Sequence, residues 1–167
     1  MDAMAHTPRE AAETLYAAMP RAMTLETLRE YGLEVSPEQA RHITQEILSL
    51  SLYWIHTALQ ASLRADDAER ISSELTQCIE RGWKNFDMQG CDHATALEDA
   101  THRRGGYDQI VQEGGSPIAV FGESAGSLEF SGAIEMGNRE KLLALFIDMI
   151  PVDTFGELVA EFELADS

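Results

Sequence analysis

The residues of this chain best placed to do chemistry are a serine between two glycines and a loose set of thiol, imidazole and carboxylate groups. Phe121-Gly122-Glu123-Ser124-Ala125-Gly126 satisfies the pattern G-x-S-x-G. In that pattern a serine on a sharp strand-to-helix turn exposes its Oγ for attack, and the following amide helps hold the oxyanion. Val120 and Phe121 would end the strand, and Ser124 would be the nucleophile. A serine hydroxyl is a weak nucleophile until a neighbouring base takes its proton. All five histidines, His6, His42, His56, His93 and His102, precede Ser124, whereas this type of site runs in the order serine, acid, histidine.

The hexapeptide FGESAG resembles the serine motif of the carboxylesterase and cholinesterase family. Over these six residues the resemblance implies an α/β-hydrolase with Ser124 as its catalytic residue. Such a fold needs parallel strands alternating with helices ahead of the serine, but the preceding chain reads as helix after helix, and no HGGG-like oxyanion segment lies upstream. The competing expectation makes Gly122 and Gly126 turn residues, with Glu123 and Ser124 at an exposed tip.

Cys91, His93, Glu98 and His102 suggest a metal site. On one helix, however, His93 and His102 are nine residues apart, about two and a half turns, and face opposite sides. Glu98 and His102 share a face at i,i+4 and suit a surface pair. His42 and Glu46 also share a face, with His56 about 21 Å further along the same helix. Cys78 falls on an apolar stripe and reads as core. Neither a metal site nor a cofactor is expected, although a small-ligand or metal-binding helical protein stays open as an alternative.

The elements that must position these groups are helices. Thr7-Pro8-Arg9-Glu10 opens one that Pro20 stops, and Thr24 caps a short second one ending at Gly32. Ser36-Pro37-Glu38-Gln39 opens the longest, residues 37–63, which carries two apolar stripes: Ile43, Ile47, Leu50 and Trp54, then Leu48, Leu52, Ile55 and Leu59. Two stripes require two packing partners, expected to be the helix from Asp67 to Arg81 and the helix from Arg139 to Ile150. Asp92 caps a weak helix that Gly105-Gly106 should stop. Residues 116–137, with glycines at 122, 126, 132 and 137, are the one stretch where strands are expected, as a short β-hairpin or a glycine-rich loop. Asn138 and Asp153 should cap the last two helices. The expected fold is a mainly α, single-domain helical bundle over 1–167, built around helix 37–63.

Composition narrows function. With 29 acidic and 12 basic residues the formal net charge is −17, and residues 114–167 hold ten acids against two bases. Such a field repels phosphate backbones, so direct nucleic-acid binding is not expected. No stretch approaches the roughly 20 apolar residues of a membrane span, and the first residues lack a signal pattern. A cytoplasmic protein is expected. The leading expectation for function is a non-catalytic acidic binding or regulatory protein, such as an inhibitor, immunity or nucleic-acid-mimic protein. It would meet a basic protein partner through Glu123, Glu129, Glu135, Glu157 and Glu161. A serine hydrolase using Ser124 is the alternative.

Overall fold

The computed structural model describes residues 5–88 and 90–164. The chain is mainly helical, and its helix starts follow the capping signals. Thr7, Thr24 and Ser36 lie in extended backbone, and each accepts a hydrogen bond from the amide three residues on. They open α1 (Pro8–Ala18), α2 (Leu25–Glu30) and α3 (Pro37–Ser62). At Ser36 the cap is reciprocal, since the Gln39 side chain accepts from the Ser36 amide. Further on come α4 (Ala65–Arg81), a single 3-10 turn (Trp83–Phe86), α5 (His93–Gln112), α6 (Pro117–Phe130), α7 (Arg139–Met149) and α8 (Val152–Ala160). The only β feature among the described residues is an isolated parallel bridge between His6 and Leu164.

Every residue of α3 from Ile43 to Ser51 is buried, so this stretch has no solvent face. Its neighbours are chiefly α5 and α8, with α4, α6 and α2 making smaller contacts. This differs in part from the pairing expected of its two stripes. The α4 helix lies mainly against α1, and α7 packs on α6, where Phe121 and Phe146 meet with ring centroids 6.3 Å apart.

The expected β-hairpin at 116–137 does not form; residues 117–130 are the helix α6. Ser116 accepts from the Ala119 amide and Pro117 occupies the first position, a good helix start. Each interior glycine costs a helix about 1 kcal/mol relative to alanine. Burying a Val, Leu or Phe side chain returns about 1.5–3 kcal/mol, and Val120, Phe121 and Leu128 are all buried on one side of α6. Packing therefore outweighs propensity. The helix ends where Gly132 turns left-handed at φ 84°, letting the Ala133 amide reach back to the Leu128 carbonyl at 2.9 Å. The same competition carries α5 straight through Gly105 and Gly106, where a stop was expected. No helix among the described residues is long and apolar enough to cross a membrane.

Candidate functional site

Ser124 does not stand at an exposed tip. It sits mid-helix in α6, 5% exposed, and its hydroxyl donates to Oε1 of Glu46 on α3. The Tyr107 hydroxyl of α5 donates to the same oxygen, and Arg103, one turn earlier on α5, donates from Nη1 to Oε2. Arg103 also donates from Nε to Asp99 Oδ2 at 2.9 Å. Three helices thus converge on one buried carboxylate, with hydroxyl and guanidinium donors covering both oxygens, as a buried charge requires. Burial pushes the Tyr107 phenol far up, a rise opposed by the nearby charge of Arg103 and the contact with Ser124. Tyr107 therefore serves as a donor. The partner of the Ser124 hydroxyl is a carboxylate already held by an arginine, and not a histidine. The arrangement locks α3, α5 and α6 together.

Glu46 was absent from the expected site residues, yet the sequence carried a signal for it. A carboxylate between Ile43, Ile47 and Leu50, on a helix apolar on two sides, has little room to reach water. Arg103 and Tyr107, at i,i+4, supply the donors that such a group needs.

The glycines of FGESAG have a packing role. Gly122 and Gly126 share one face of α6, and the Arg139 guanidinium lies across it. A Cβ at Gly126 would sit 3.1 Å from Arg139 Cζ, and one at Gly122 would sit 3.8 Å from Nη2.

The five acidic residues expected to meet a partner fall in two places. Glu123 and Glu129 are on α6 and Glu135 is in the turn that follows, whereas Glu157 and Glu161 lie at the end of α8, a helix packed on α3 and α1. Glu123, Glu135, Glu157 and Glu161 are exposed, but Glu129 is half-buried and already occupied. One of its oxygens accepts from the amides of Gly137 and Arg139, each at 3.0 Å. Glu129 therefore caps α7, since Asn138 makes no side-chain cap, and it favours that helix's positive end. Gln39 donates to the Gly132 carbonyl at 3.1 Å, and Ala133 and Ile134 are buried. The α6–α7 turn is thus fastened at both ends and in the middle. On it stand the two most exposed large apolar side chains of the described residues, Phe130 at 93% and Met136 at 80%.

The Cys91, His93, Glu98 and His102 set does not assemble. His93 Nδ1 lies 3.7 Å from Glu80, and His102 Nε2 lies 3.7 Å from Glu98. No group of three or more metal-ligating side chains forms among the described residues. Burial and the nearby acids raise the Cys91 thiol, and burial raises that of Cys78, so neither thiol is activated. Comparison with protein-family models, curated proteins and solved structures gives no match.

Proposed function

We propose that this chain is a non-catalytic acidic binding protein, a single-domain helical bundle of the cytoplasm, that engages a basic protein through the α6–α7 turn. The observation carrying this reading is the fastened turn itself, which holds Phe130 and Met136 almost fully in water. Large apolar groups held out on an ordered turn supply the buried anchors of a protein interface at little entropic cost. Glu123, Glu135 and Glu140 flank them in sequence, together with Arg139 and Lys141, the two bases of a segment that holds ten acids. The net negative field of the segment speeds encounter with a basic surface and disfavours acidic ones. Glu157 and Glu161 add to the long-range field.

The test is capture from cell extract at low and at molar salt. Retention of a basic protein at low salt and its release at high salt is the expected result. Failure to retain any basic protein at low salt contradicts the proposal.

A further inference from the structure

A groove lies at the C-terminal end of α3, whereas the α6–α7 turn is tied to its N-terminal end through Gln39. Both α4 and α5 pack on α3, but they scarcely touch one another. Between them the groove, of about 560 Å³, opens over the end of α3, within the size range of small-molecule sites. A smaller recess of about 90 Å³, sharing His56, Ser72 and Arg104 with the groove, runs inward over Leu52, Leu75 and Leu97. The floor is apolar and the mouth carries donors.

Arg104 is the one cationic side chain of the groove lining. Its Nη1 lies 3.4 Å from His56 Nε2. A guanidinium only donates, so the imidazole must present a bare Nε2 to it. Burial, and then the charge of Arg104, lower the His56 pKa in keeping with that role, while Asp108 opposes the shift. Like Arg21, Arg29, Arg41, Arg64, Arg81 and Arg139, Arg104 makes no ion pair with any carboxylate among the described residues, and it is the cation that lines this groove. Its neighbour Arg103 is held by Glu46 and Asp99. Glu69 also lines the groove but lies beyond ion-pair reach of Arg104. In a chain of net charge −17, a half-buried arginine facing a neutral imidazole retains a fork of donors for an anion from outside.

We infer that this groove binds a small monocarboxylate with an apolar body. Its carboxylate would lie on the Arg104 fork beside the Ser72 hydroxyl, and its body over the leucines of the recess. Bidentate guanidinium–carboxylate pairing fits this head group. A single arginine within a strongly acidic field disfavours a phosphate dianion.

Calorimetric titration with octanoate and phenylacetate, against octanol and inorganic phosphate as controls, tests the inference. Saturable binding of at least one carboxylate is expected, with neither control binding. Arg104→Gln, checked for folding by circular dichroism, should weaken binding by about tenfold or more, the worth of a charge-assisted hydrogen bond. Arg104→Lys, which keeps the charge but loses the fork, should fall between. Absence of carboxylate binding, equal affinity in Arg104→Gln, or phosphate binding as tight as that of the carboxylates overturns the assignment. None of these results bears on the α6–α7 turn.

Discussion

Removing a donor from Glu46 and removing its charge are different operations. Ser124→Ala deletes one of three donors and leaves the carboxylate held by Tyr107 and Arg103, so it should cost about 1 kcal/mol. Glu46→Gln takes away the charge that Arg103 faces inside the protein. Breaking a buried pair from one side typically costs about 3–5 kcal/mol, and here the lower end is expected because Asp99 still holds Arg103, whose side chain is 35% exposed. Urea unfolding of the two variants should reproduce that order; equal losses would mean that the network is not centred on Glu46. Tyr16 offers a second residue-scale test, because its buried hydroxyl has no partner and a Cβ at Gly82 would stand 1.9 Å from it. Gly82→Ala should cost about 1–3 kcal/mol through overpacking. Tyr16→Phe should be neutral or stabilising and should recover part of that loss when combined with it, whereas strictly additive effects in the double mutant would refute the contact.

Among the helices, α5 carries two glycines that no close approach requires. Gly105 and Gly106 are exposed in its interior, and a Cβ at either would meet nothing within 4 Å. Gly105→Ala and Gly106→Ala should therefore each stabilise the protein by about 1 kcal/mol, read as a rise in the denaturant midpoint with unchanged slope. A loss of stability in either variant would show that the backbone there is not regular helix. The same two glycines show where sequence reasoning runs out. Caps are local, so Thr7, Thr24 and the Ser36 box locate α1, α2 and α3 from a few residues each. A glycine's cost is local too, but the burial that overrides it comes from residues distant in sequence. The hairpin expected at 116–137 fails because Val120, Phe121 and Leu128 gain more by packing than Gly122 and Gly126 lose. The cap of α7 was likewise hidden, since it comes from Glu129, ten residues back in the chain. Glu46 needed partners from two other helices before its role could be seen, and Ser124 needed Glu46.

On the scale of the whole molecule, charge and apolar exposure divide the surface. Glu123, Glu135 and Glu140 flank in sequence a turn that is fastened by Glu129, Gln39 and the buried Ile134, and that leaves Phe130 and Met136 in water. Arg104 lies instead in the groove between α4 and α5. The proposed basic partner at the first surface and the proposed small carboxylate at the second rest on that division, and neither requires a reactive serine. The most direct measurement is capture from extract at low salt by the wild type beside the double variant Phe130→Ser/Met136→Ser, whose exposed substitutions should leave the unfolding curve unchanged. The prediction is a basic protein retained by the wild type and lost from the variant. Identical retention by the two proteins would contradict the assignment of the α6–α7 turn as the binding surface.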